Sequence, residues 1–186
     1  MKNLVLILFI AAISVSGFAQ DKLSTTSGHI KFFSSTPAED IEANNYKVIS
    51  NITPETGNIV FSVPMQSFEF EKALMQKHYN SKKFLNTKIF PKSKFKGTIA
   101  NIADIDFTND GTYEADVTGS LTIHGVTKEV AEKFIITVKE GIITGITEFD
   151  IVLADYGVVF KGGKPSTNIS KTIKITANLN YTKENS

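Results

Sequence analysis

The chain is 186 residues long, carries 20 basic and 19 acidic side chains, and contains no cysteine. Disulfides, thiolate chemistry and cysteine metal sites are therefore excluded, and one domain of ordinary size must pack its core without covalent staples. Removing Lys2 with the segment described next takes the formal charge from +1 to 0, so net charge gives no reason to bind nucleic acid or an anionic membrane surface.

Lys2, the apolar run Leu4 to Ile13, and the small residues Ser14, Ser16, Gly17 and Ala19 read as a cleaved signal peptide over residues 1–19. The apolar run is short of the roughly 20 residues a bilayer-spanning helix needs, so no stable membrane insertion is expected after cleavage. The mature domain, 20–186, is expected to be exported or secreted.

From there the apolar residues repeat every second position. Tyr113, Ala115, Val117, Gly119, Leu121 and Ile123 alternate with polar neighbours, as do Phe134, Ile136 and Val138, and Ile173, Ile175, Ala177, Leu179 and Tyr181. This is the pattern of antiparallel strands with one buried face. Strands are predicted over 28–34, 43–52, 57–65, 93–100, 103–108, 112–123, 128–139 and 142–153, with 171–182 as a ninth or closing strand. Pro54-Glu55-Thr56-Gly57, Asn109-Asp110-Gly111 and Lys139-Glu140-Gly141 supply turns between them. Phe70 to Tyr79 is predicted as a short helix at one barrel end, with Phe70, Leu74 and His78 on one face, and Lys161 to Ser170 as a long loop. Sequential hairpins without edge protection point to an all-β, eight-stranded antiparallel barrel, with an open sandwich as the alternative.

Extending the alternation turns Phe61, Val63, Phe95, Ile99, Val117, Leu121, Phe134, Ile136, Phe149, Ile151, Ile173, Ile175 and Leu179 inward, none of them charged. Gly97, Gly119 and Gly145 fall on the same faces, where a glycine makes room for a neighbour or a ligand. A barrel of eight strands is either filled by its side chains or holds one small guest, and the list is the same in both cases. An apolar lining favours a lipid-like guest over a sugar or nucleotide.

Catalytic chemistry finds no support. His29, His78 and His124 are scattered without metal-ligand spacing, there is no Gly-x-Ser-x-Gly elbow, and Gly162-Gly163-Lys164 lacks the upstream glycine of a phosphate loop. No catalytic residue, metal or cofactor is assigned. Ile135 breaks the polar side of its strand, too little to define an interface, and a homodimer stays open.

Several phrases resemble one family. Gly57 to Val63, Phe68 to Phe70, Leu74 to Asn80, Phe90 to Gly97, Gly119-Ser120-Leu121-Thr122-Ile123-His124-Gly125-Val126-Thr127-Lys128, and Phe149 to Leu153 with Asp155-Tyr156-Gly157-Val158 are similar to the YceI-like proteins, in the family's order. The resemblance implies a lipocalin-like periplasmic barrel that binds a polyisoprenoid, a quinone tail, or a fatty acid or amide. Ser24 to Phe33 departs from the family's usual Asp-Pro and His-Ser opening. The ligand-binding set expected on these grounds is Phe61, Val63, Phe95, Ile99, Val117, Leu121, Phe134, Ile136, Phe149, Ile151, Ile173 and Ile175 in the lining. Phe68, Phe70 and Leu74 are expected at the rim, where Met75 joins them as a lid. The alternative is a filled, non-catalytic stress-response or structural barrel acting through a protein partner. For His124-Gly125 the expectation is structural: glycine takes the positive φ of a tight turn while the ring bonds backbone at the barrel end.

Overall fold

A computed structural model describes residues 22–159 and 168–184. Residues 1–19, expected as a signal peptide, and residues 161–167 of the predicted loop lie outside the described residues.

Among the described residues nine strands run in chain order: β1 Lys22–Ser35, β2 Asp40–Thr53, β3 Asn58–Pro64, β4 Glu69–Phe70, β5 Lys92–Ile99, β6 Gly111–Ile123, β7 Val126–Lys139, β8 Ile142–Val152 and β9 Thr172–Glu184, with one α-helix, α1 Ala73–Asn80. Hydrogen bonds order them β1-β9-β8-β7-β6-β5-β3-β2, and β1 pairs back onto β2. All pairs are antiparallel, so eight strands close an up-and-down barrel. The two-residue β4 hangs on β2 through Ala43–Phe70 and Asn44–Glu69. Closure gives every strand of the ring two hydrogen-bonded neighbours, as the long alternating hairpins predict.

Turn residues set the strand ends. His124 (φ 52°) and Gly125 (φ 78°) occupy the two positive-φ positions between β6 and β7, and Glu140 (φ 51°) and Gly141 (φ 78°) do the same between β7 and β8. Two positive φ angles in a two-residue loop match the twist of the flanking strands.

Three predicted elements differ. The first strand simply starts six residues before the predicted 28, at Lys22. Residues 103–108 form no strand: Ile102–Asp104 is a 3₁₀ turn, and the Asp106 carboxylate then accepts from the Thr108 N–H at 2.7 Å, the Asn109 N–H at 3.2 Å and the Thr108 hydroxyl at 2.6 Å. A side chain that captures nearby backbone donors in this way competes with a ladder. The alternation there survives because Ile105 and Phe107 plug one end of the barrel, each 8% exposed. The helix begins three residues late, at Ala73, because Phe70 is held in β4. Its buried residue is then Tyr79, and Leu74 points outward at 63% exposure.

The barrel is packed at one end and hollow at the other. Val48, Ile52, Ile59, Ile136, Val138, Ile143 and Leu179 are almost wholly buried at the end closed by the 102–108 segment. Among them the Ser50 and Tyr181 hydroxyls share a 2.8 Å hydrogen bond, which satisfies two polar groups that burial would otherwise penalise. The other end carries the β1–β2 and β6–β7 turns, α1, and the segments following β3 and β8.

The wall has a seam between β7 and β8. β7 pairs with β6 over its whole length but with β8 only from Ile135–Ile146 to Lys139–Ile142. Beyond Thr147, β8 is paired to β9 alone. At the point of divergence the Thr147 hydroxyl donates to the Lys133 carbonyl at 2.6 Å.

Candidate functional site

The alternation that makes each strand one-sided also gathers its apolar face around the axis, and at the α1 end those faces do not meet. A cavity of about 620 Å³ lies there, walled by Ile30 and Phe32 of β1, Val63 of β3, Ser93 of β5, Leu121 and Ile123 of β6, Phe149 and Ile151 of β8, and Ile173 and Ile175 of β9. Its roof is an aromatic cluster contributed by β1, the segment after β3, and α1. Phe32 sits 5.4 Å from Phe68, 5.5 Å from Phe70 and 5.8 Å from Tyr79, ring to ring, and Tyr79 continues to Phe70 at 5.0 Å and Phe84 at 6.4 Å. These are the tilted, stacked and edge-on separations at which aromatic pairs attract. The polar side chains are confined to few places. Glu39, His78, Lys83 and Asn168 line the cavity from the rim, while Ser34 and Ser93 lie deeper.

The deeper polar atoms are satisfied locally. Ser34 accepts from the Ser170 N–H at 2.9 Å, and Ser93 donates to the Met65 sulfur at 3.0 Å. The Tyr79 hydroxyl points at the same sulfur from 4.0 Å, and burial pushes its pKa well up, so it stays protonated.

Below this cavity lies a smaller one of about 90 Å³, lined by Phe61, Phe95, Val117, Phe134 and Phe149 and reaching the β7–β8 seam at Glu132, Lys133 and Thr147. Phe61 meets Phe95 at 6.0 Å and Phe134 at 6.2 Å, both edge-on, forming a floor between the hollow and packed halves. Two of the inward glycines, Gly97 and Gly145, make room for these rings. A Cβ on Gly145 would overlap the Phe134 ring, and one on Gly97 would overlap Phe95.

Most of the expected set is thus brought together. Val63, Phe68, Phe70, Leu121, Phe149, Ile151, Ile173 and Ile175 line the large cavity, and Phe61, Phe95, Val117 and Phe134 line the small one. Three residues do not reach either. Ile99 and Ile136 belong to the packed end, 2% and 0% exposed, and Leu74 faces out from α1. Alternation fixes the face of a strand residue but not its depth along the barrel, and helix phase depends on where the helix starts.

Sequence reasoning missed Phe32, Met65, Tyr79, Phe84 and Tyr156 in the large cavity. Phe32 was within reach, since Ile30 and Phe32 continue a period of two. Glu132 was too: carrying the Phe134, Ile136, Val138 series two residues back turns it inward. It lines the small cavity at the seam, and desolvation, with Asp150 nearby, raises its pKa.

The histidines are occupied structurally in two cases. His29 bonds Asn44 Oδ1 at 2.8 Å and stacks on Tyr46 at 4.5 Å. His124 places Nδ1 3.4 Å from the Tyr156 carbonyl oxygen and meets the Phe90 ring edge-on at 4.6 Å, so its ring ties the β6–β7 turn to the segment after β8. Among the described residues no group of His, Cys, Asp or Glu could hold a metal. A third hollow, of about 460 Å³, lies at the packed end, between Lys22, Asp104, Asp106, Thr108 and Lys183; it borders both ends of the described chain.

An eight-stranded up-and-down barrel with an apolar cavity under an aromatic roof places the molecule in the lipocalin-like class. The chain belongs to the family of the YceI-like domain, whose model matches residues 11–181. An UPF0312 protein of Pseudomonas fluorescens is 40% identical over 80 residues, 43% of this chain and 38% of that relative, and one of Pseudomonas putida W619 is 38% identical over the same shares. These relatives are thus matched over less than half their length. Among solved structures, a polyisoprenoid binding domain from Saccharophagus degradans superposes with a TM-score of 0.72 at 15% identity, covering 87% of this chain and 97% of that one. BcnA of Burkholderia cenocepacia gives 0.68 at 16% identity, covering 83% and 96%. At such identities the likeness is one of fold.

Proposed function

We propose that the protein is an exported, non-catalytic carrier that holds an apolar amphiphile, a polyisoprenoid, a quinone or a fatty acid or amide, in the cavity beneath α1. The observation that carries this reading is the cavity itself: about 620 Å³ of space whose walls are apolar and whose charged groups stand at the rim. That volume falls in the range of small-molecule sites, roughly 300–1,000 Å³. Each buried CH₂ contributes roughly 0.8 kcal/mol, so a long tail outweighs the freedom it loses on ordering without any buried polar anchor. The polyisoprenoid-binding description of the Saccharophagus domain supports the choice of guest, and the signal-like residues 1–19 support export to the periplasm.

The test fills the cavity. Leu121 lines both hollows, so Leu121→Trp should weaken binding of a fluorescent long-chain probe more than about tenfold while circular dichroism shows the same barrel. A folded variant that binds the probe with undiminished affinity contradicts the carrier reading.

A further inference from the structure

Net neutrality conceals a segregation of charge. Between Glu71 and Asp104 the chain holds eight lysines and no acidic residue. That stretch builds α1 and the connection to β5, which cover the cavity, and β5, a strand of its wall. Lys77, Lys82, Lys83, Lys88 and Lys92 are all exposed, and none forms an ion pair among the described residues. Leu74 and Ile89 stand among them, 63% and 64% exposed. The acidic rim lies to one side, on β2, β4 and the residues beside them. There Glu39 is neutralised by Lys72 at 2.9 Å and Glu42 by Lys31 at 3.6 Å.

We propose that this cap is a docking face for an anionic phospholipid bilayer, which sets the rim of the cavity against the membrane. Unpaired lysines around protruding Leu and Ile side chains match such a surface: the ammonium groups meet headgroup phosphates while the apolar tips enter the acyl boundary. A nucleic acid would use the lysines but leave the two apolar side chains without a role. The exposed Asp40, Glu69 and Glu71 are repelled from the same surface, so the barrel leans onto its α1–β5 side. The exchange of a guest with the membrane rests on the carrier reading; the docking does not.

Co-sedimentation of the protein purified from its own host tests this, with mixed phosphatidylglycerol–phosphatidylcholine vesicles against pure phosphatidylcholine. The protein should bind the anionic vesicles, lose them as salt rises, and bind the neutral ones weakly. Combining Lys77→Glu, Lys82→Glu, Lys88→Glu and Lys92→Glu should lower partitioning on the order of a hundredfold. Leu74→Ser with Ile89→Ser should weaken it at every salt concentration, while Lys139→Glu with Lys183→Glu, at the opposite end, should leave it unchanged. Equal binding to both vesicles, full binding by the fourfold variant, or retention on DNA but not on vesicles overturns the proposal. Uptake of an apolar probe in vesicle-free solution separates the two readings. Uptake without docking refutes the membrane face alone, and docking without uptake refutes the carrier alone.

Discussion

Glu132 stands where an inward position meets an incomplete wall. Desolvation is the larger cause of its raised pKa and the Asp150 charge the second. A carboxyl whose folded pKa lies above its unfolded value of about 4.5 favours folding in the protonated form. That contribution is fully present below the unfolded value and is lost as pH rises through the folded one. Glu132→Gln should therefore raise the Tm at pH 7, with the difference from the parent shrinking in melts below the unfolded pKa; a lower Tm at pH 7 would contradict this. His124 makes the opposite kind of contribution, through its contact with the Tyr156 carbonyl and the Phe90 ring. His124→Ala should lose about 1 kcal/mol of stability in denaturant unfolding and keep its affinity for an apolar probe. Full stability with lost binding would give the ring a ligand role instead. Residue type and period made His124-Gly125 legible as a turn, whereas the rim partners of its ring, distant in sequence, were not.

At the scale of elements, long strands were readable because each has one wet face, and β6 and β9 keep that alternation over most of their length. The misread elements are those in which local side-chain bonding or strand pairing overrides periodicity. Asp106 folds 106–109 onto itself, and the pairing of Phe70 with Ala43 shifts the start of α1. The β7–β8 seam has no sequence signature, because Val130 to Lys133 are still fully paired, but only to β6. Hydrogen exchange should find the β8-facing amides of β7 ahead of Phe134 exchanging faster than those at 135–139, by at least about tenfold. Uniform protection along β7 would mean that the seam is closed in solution.

For the molecule as a whole, the question left by the sequence was whether the barrel is filled or hollow, and the two answers hold at different depths. Ile136 and Leu179 are as buried as any core residue, while Phe149 and Ile175, read from the same alternation, face the cavity. Period assigns a face; only the stagger of strands around the ring and the placement of α1 assign a depth. The same holds for charge, since a total near zero says nothing about eight lysines gathered on one stretch of the chain.

The central claim, that the hollow half holds an apolar chain, is tested most directly by native mass spectrometry of the protein purified from its own host, with organic extraction of what it carries. The account predicts one long-chain isoprenoid or lipid per barrel, displaced in the Leu121→Trp variant. A bare protein that also takes up no added lipid would contradict it.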